Sequence, residues 1–167
     1  MIQVYTGNGK GKTTAALGLA LRSAGAGRRV YFCQFLKGKP YCELLSLKKF
    51  KNIKVEQFGK TRFLRHAPQK EDMELARAGL AAAKKAIKSR RYALIVLDEI
   101  NVALRLKLID LQDVLKIIKD TPKEIELVLT GRCAQPEILR VADLVSEIRE
   151  RKHYFKQGVA GRKGIEF

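Results

Sequence analysis

The stretch Ile2-Gln3-Val4-Tyr5-Thr6-Gly7-Asn8-Gly9-Lys10-Gly11-Lys12-Thr13-Thr14 runs from a short apolar segment through a glycine-rich loop into a helix former. Strand, glycine loop and helix, in that order, are the parts of a phosphate-binding loop. The usual spacing GxxxxGK[ST] ends here on Gly11, Lys12 and Thr13, but its first place holds Thr6, and Gly7 follows one residue late. The loop is a variant. Gly7, Gly9 and Gly11 are expected to let successive backbone N–H groups turn inward around phosphate oxygens. Lys12 adds a point charge, and Thr13 offers a hydroxyl to a bound Mg²⁺. The helix predicted over Thr14 to Ala24 would aim the positive end of its dipole at the same phosphates. The plainer alternative, a glycine turn with two lysines ahead of a helix, is disfavoured because both flanks have the required character.

Working outward, Arg29 to Phe35 reads as a buried parallel strand. A short helix through Glu43 to Leu47 and a weak strand over Val55 to Phe58 follow. From Thr61 to Pro68 no period emerges, which predicts a mobile loop over a site. A long helix is predicted from Gln69 to Ser89. Tyr92 to Leu97 is nearly all apolar and ends on Asp98 and Glu99, a Walker B pattern: such a strand carries its carboxylates to the sheet edge, where they can hold Mg²⁺ directly or through water. The alternative is an acidic helix start after a core strand, and the phosphate loop argues against it. Asp110 is the expected cap of a helix over Leu111 to Lys119. Glu126 to Thr130 is the next strand, and Arg132, just past its carboxyl end, is either a nucleotide contact or a surface arginine. Pro136 opens a helix to Val141, Leu144 to Ile148 is a last strand, and the Gly-rich basic tail has no period.

Strands alternating with helices along the whole length predict a three-layer α/β/α fold, phosphate-loop NTPase-like (RecA-like), with a mostly parallel sheet and one domain over residues 1–167. At 167 residues, such a chain buries about 70% of its unfolded surface and needs no covalent staple. Cys33, Cys42 and Cys133 are odd in number and widely spaced, so neither a disulfide framework nor a zinc site is indicated, and buried thiols are expected. The chain opens on its first strand without a leader, and no apolar run approaches a membrane span. A cytoplasmic protein without a membrane partner is expected. The 34 Lys and Arg against 17 Asp and Glu leave a net charge of +17, which favours anionic partners. The excess is densest from Lys48 to Arg65 and is otherwise spread, which reads as a solvated basic face before it reads as a nucleic-acid surface.

Thr6 to Arg22, QFLKG (Gln34 to Gly38), VLDEINVALRLKLID (Val96 to Asp110), LTGR (Leu129 to Arg132), ADLVSEI (Ala142 to Ile148) and the closing KGIEF (Lys163 to Phe167) together resemble the ATP:corrinoid adenosyltransferases of the CobA, CobO and BtuR type. The resemblance spans most of the chain, in the right order and spacing. It implies transfer of the 5′-deoxyadenosyl group of ATP to the cobalt of a reduced corrinoid, with inorganic triphosphate leaving. The nucleophile would be Co(I), which accounts for the lack of a Ser, Cys or His arrangement for covalent catalysis; His66 and His153 stand alone.

Under this resemblance ATP is a co-substrate lying in a reversed sense in the loop, so that C5′ is presented for attack. Thr6, Gly7, Asn8, Gly9, Lys10, Gly11, Lys12, Thr13, Thr14 and Arg132 would contact it. Lys12, Thr13 and Glu99 would be the catalytic set, and Thr13, Glu99 and Asp98 would hold Mg²⁺. The family excludes the lower cobalt ligand with a Phe and a Trp after the third strand. This chain has no Trp, and Phe63 and Leu64 are the nearest substitutes. An electron-donating reductase and a homodimer are the implied partners. Many relatives carry an extension before the first strand, whereas Met1 here abuts it. Two competitors remain: a phosphate-loop ATPase acting on nucleic acid, with Glu99 activating water, and a non-catalytic nucleotide-binding regulator. No interleaving of aromatics on basic strands supports the first.

Overall fold

The computed structural model describes residues 1–61 and 68–167. Its six strands are β1 (Ile2–Thr6), β2 (Val30–Phe35), β3 (Ile53–Phe58), β4 (Leu94–Asp98), β5 (Glu126–Thr130) and β6 (Leu144–Glu147). They form one sheet in the order β3-β2-β4-β5-β1-β6, and every neighbouring pair is parallel. The sheet is thus wholly parallel rather than mostly so. Between the strands lie α1 (Lys12–Gly25), α2 (Cys42–Leu47), α3 (Lys70–Lys88), α4 (Ile100–Arg105), α5 (Leu111–Asp120) and α6 (Pro136–Val141).

The period of two along the buried strands sorts side chains to the two faces. Val30 and Phe32 of β2, Leu94 and Val96 of β4 and Val128 of β5 pack with Ala16, Ala20 and Ala24 of α1. Tyr31, Cys33, Phe35, Ile95, Leu97, Leu127 and Leu129 turn the other way, onto Leu80 and Ala83 of α3, Leu104 of α4, Ile117 of α5 and Ile138 of α6. Burying each large aliphatic or aromatic side chain fully contributes about 1.5–3 kcal/mol. The alanines of α1 recur every fourth residue, so one narrow, small-residue face meets the sheet and the helix can lie close to it. That closeness sets how near the first turn of α1 stands to the ends of β4 and β5.

Several local expectations are corrected. α1 begins at Lys12, two residues ahead of the predicted start, so Lys12 and Thr13 belong to its first turn. α4 corresponds to the helix start that the disfavoured alternative placed after the core strand: Glu99 takes a left-handed φ of 62° and restarts the chain as a helix directly after β4. Asp110 occupies the cap position of α5 but makes no side-chain capping bond. Gln69 and Asp72, by contrast, form a reciprocal capping box that starts α3. Only Cys33 is a buried thiol; Cys42 is half-buried and Cys133 exposed. The tail is not featureless, since Tyr154–Gln157 makes a 3-10 turn. Among the described residues no helix is long and apolar enough to cross a membrane.

Candidate functional site

In an open parallel sheet, ligands are bound outside the carboxyl ends of the strands, where connections diverge to opposite sides. Here Thr6, Phe35, Asp98 and Thr130 are the last residues of β1, β2, β4 and β5. A cleft of about 610 Å³ opens beside them, lined by the glycine loop, the first turn of α1, Lys37, Glu99, Arg132, His153 and Gly164 to Phe167. Leu36, Glu99 and Cys133, each one to three residues beyond a strand, all have positive φ (61°, 62° and 57°). Non-glycine residues take that conformation at a cost and gather where the surrounding fold imposes it. Three strand exits are therefore bent sharply around one cleft.

The glycine loop is held in two ways. Lys12, 6% exposed, donates through Nζ to the carbonyls of Gly7 and Gly9 at 2.8 and 2.7 Å. Burial pushes its pKa down, only partly countered by Glu99. Gly9 donates its N–H to the Ile148 carbonyl at 2.7 Å, and a Cβ on Gly9 would stand 2.8 Å from that oxygen. This corrects the expectation that Gly9 turns its N–H to a phosphate: its lack of a side chain is required by the close approach of the segment after β6. Gly7, at φ 96°, is constrained by the same carbonyl. The first bond of α1 runs from Ala15 N–H to the Gly11 carbonyl at 2.8 Å. The N–H groups of Lys12, Thr13 and Thr14 are thereby left without helical partners, at the positive end of the helix.

Asp98 is the centre of the floor. Its carboxylate is fully buried and accepts four hydrogen bonds. Thr13 Oγ1 and Thr130 Oγ1 donate to Oδ1 at 2.9 and 2.7 Å, while Gln34 Nε2 and Lys37 Nζ donate to Oδ2 at 3.2 and 2.8 Å. Gln57 Nε2 extends the row by donating to Gln34 Oε1 at 3.0 Å. The sheet register makes this possible, since Gln34 pairs with both Gln57 on β3 and Asp98 on β4. Burial works against the charge of Lys37, but Asp98 outweighs it and holds the ammonium above its ordinary pKa. Glu99 anchors its N–H on Thr130 Oγ1 at 3.0 Å and faces the cleft. Burial, reinforced by Asp98, raises its carboxyl pKa.

The predicted site residues divide by position. Lys10, Gly11, Lys12, Thr13, Thr14, Glu99 and Arg132 line the cleft with Gly9, whereas Thr6, Gly7 and Asn8 do not, and Asp98 lies buried directly beneath the lining, under Thr13 and Lys37. Thr6 Oγ1 accepts from Ala134 N–H at 3.3 Å, which ties β1 to the segment after β5. Thr13 meets Asp98, not Glu99. Lys10 is engaged by the tail: its Nζ lies 2.6 Å from Glu166 Oε1 and 2.8 Å from Tyr154 Oη. Phe63 and Leu64, with His66, fall outside the described residues. Sequence reasoning quoted Gln34 and Lys37 in QFLKG and Glu166 in KGIEF, and named His153, but assigned none of them to the site. Lys37 was findable, because it stands just past a strand end as Arg132 does. Asn101, on the first turn of α4 behind Gly131, is fully buried with neither side-chain polar atom paired.

Taken as chemistry, the cleft sets Lys12, Lys37 and Arg132 around a helix start and places oxygen donors in its floor. That combination suits a polyphosphate with a hard divalent cation. A family model described as ATP:corrinoid adenosyltransferase BtuR/CobO/CobP matches residues 1–167. A corrinoid adenosyltransferase of Sinorhizobium is 35% identical over 172 residues, which cover 100% of this chain and 80% of that protein. The corresponding Pseudomonas aeruginosa protein is 34% identical over 169 residues, covering 100% and 83%. An uncharacterized protein of Nostoc is 34% identical over 180 residues, covering 99% of this chain; the chain spans about half of that protein's length, 48%.

Proposed function

This chain belongs to the BtuR/CobO/CobP family of ATP:corrinoid adenosyltransferases, and on that premise we propose that it transfers the 5′-deoxyadenosyl group of ATP to the Co(I) of a reduced corrinoid, cobalamin or cob(I)yrinic acid a,c-diamide, releasing triphosphate. All 167 residues work as one nucleotide-binding domain in the cytoplasm, as a homodimer supplied with electrons by a reductase. The observation that supports the reading best is the grouping of Lys12, Lys37 and Arg132 on one cleft around the first turn of α1.

The cobalt electron pair forms the Co–C5′ bond while the C5′–O bond breaks, and the electrons of that bond depart on the triphosphate. Negative charge therefore grows on the leaving oxygen. Lys12, Arg132 and the partner-free N–H groups of the first turn of α1 hold the triphosphate and are arranged before the reaction, so they need no reorganisation as that charge develops. The donor set fits Mg²⁺: Thr13 Oγ1, Asp98 and Glu99 are hard oxygen ligands, too few to cage the ion and so suited to sharing it with phosphates. Bound there, Mg²⁺ would neutralise part of the triphosphate charge. Thr6, Gly7 and Asn8 shape the loop, and the exclusion of the corrinoid's lower ligand is assigned to Phe63 and Leu64.

The test is the product. Incubation with ATP and a chemically reduced corrinoid should give adenosylcorrinoid and triphosphate in equal amounts, and neither without the corrinoid. Release of orthophosphate stimulated by DNA or RNA, with no cobalt–carbon product, would replace this reading with that of a nucleic-acid ATPase.

A further inference from the structure

Lys37 follows β2 directly, beyond the left-handed turn at Leu36. Its side chain is 17% exposed, with Nζ 2.8 Å from Asp98 Oδ2 and 3.2 Å from Thr13 Oγ1. An ammonium thus stands against two of the three side chains to which the proposed function gives Mg²⁺, Thr13 and Asp98. A carboxylate has about four lone-pair sites, and Asp98 already accepts from Thr13, Thr130, Gln34 and Lys37. A metal ion that takes Asp98 as a ligand must displace one of these donors.

The donors differ in their freedom to leave. Thr130 and Gln34 are fully buried on β5 and β2, and Thr13 sits in the first turn of α1. Lys37 alone is a cation on a long stem that reaches the floor from a loop and borders the cleft. Its Nζ also lies 5.6 Å from the centre of the Tyr41 ring, another wall of the cleft. A divalent ion and the ammonium repel each other, so the displacement is driven electrostatically.

We propose that Lys37 is an internal counter-cation of the Thr13–Asp98 corner, which yields that place to the entering divalent ion and moves onto the triphosphate as a ligand. One side chain then couples metal entry to polyphosphate binding. A seat already holding a positive charge binds free metal weakly, and the displaced charge strengthens the hold on the nucleotide. The metal is therefore admitted with its phosphates rather than ahead of them. The inference rests on the reading of the loop as a triphosphate site.

Mn²⁺ binding, followed by the electron spin resonance of the free ion and competed by Mg²⁺, reads the seat directly, with and without ATP. Without nucleotide, Lys37→Met and Lys37→Gln should bind Mn²⁺ at least about tenfold more tightly than wild type, the scale of one charged contact. Adding Thr13→Val should remove the gain. In the same two variants ATP should raise Mn²⁺ affinity by a factor about tenfold smaller than in wild type. Folded variants with wild-type Mn²⁺ affinity, or with unchanged coupling between Mn²⁺ and ATP, overturn the inference. Failure of wild type to bind ATP under any condition overturns the loop reading itself. Should the neutral variants not fold, ¹⁵N-lysine-labelled wild type decides: the Lys37 ammonium signal should shift when MgATP is added, and an unmoved signal overturns the inference.

Discussion

Glu99 and Glu166 face the same cleft, and their carboxyl groups are displaced in opposite directions. Glu99 belongs to the buried floor, where desolvation and the neighbouring Asp98 push its pKa up. Glu166 belongs to the exposed tail, where hydrogen bonds from Lys10, Tyr154 and Arg162 pull its pKa well down. Both regions pair carboxylates with lysines. They differ in water. A charge in the floor loses its hydration and is secure only while every partner is present, whereas a charge in the tail can return to solvent at little cost.

The largest effect should come from breaking the floor. Asp98→Ala strands the Lys37 ammonium and leaves the buried Gln34 and Thr130 donors short of an acceptor, an expected loss of about 3–5 kcal/mol, measurable by urea unfolding. A loss as small as that from an exposed pair would erase the distinction. Lys12→Ala comes next. Removing a preorganised donor to a developing anion should slow adenosyl transfer about 100- to 1,000-fold, while the melting temperature stays within a few degrees. Wild-type turnover would remove Lys12 from the mechanism.

Glu99→Gln sharpens the contrast through pH. A carboxyl whose folded pKa lies above its unfolded value binds more protons when folded, so its contribution to stability falls as pH rises through that interval. The variant should therefore be more stable than wild type at neutral pH, with the advantage shrinking as pH falls from the raised pKa towards the ordinary Glu value and gone below it; an advantage that grows on acidification would refute the burial argument. Glu166 has the opposite sign: its contribution is present above the ordinary Glu pKa and lost as pH falls through the depressed one. Because the tail is solvated and screened, Glu166→Gln should change the melting temperature least, and raising salt should abolish what change there is. A salt-independent loss would move the tail into the class of the floor.

Much of this architecture was legible residue by residue. Apolar runs such as Leu94 to Leu97 of β4, buried along their whole length, announce parallel strands because covered faces leave no place for polar alternation. Glycines and Lys12 announce the loop because few residues tolerate its turns. α4 was disfavoured, since the left-handed Glu99 that starts it is tied through its N–H to Thr130, a partner that local preference does not announce. Gly9 was misread for a related reason. Its need is steric contact with Ile148, and that neighbour lies far along the chain.

By itself the sequence determined the alternation of strands and helices, the phosphate loop and the arrival of carboxylates at the end of β4, all of which follow from local sterics and hydrophobic period. Only the tertiary structure decided which groups share the floor and which the tail. Lys37 and Asp98 are 61 residues apart in the chain, and Lys10 and Glu166 are 156 apart. No local pattern encodes such pairs. Strand order brings β2 beside β4, register aligns Gln34 with Asp98, and the strength of the resulting charge pairs depends on how much water the surrounding fold excludes.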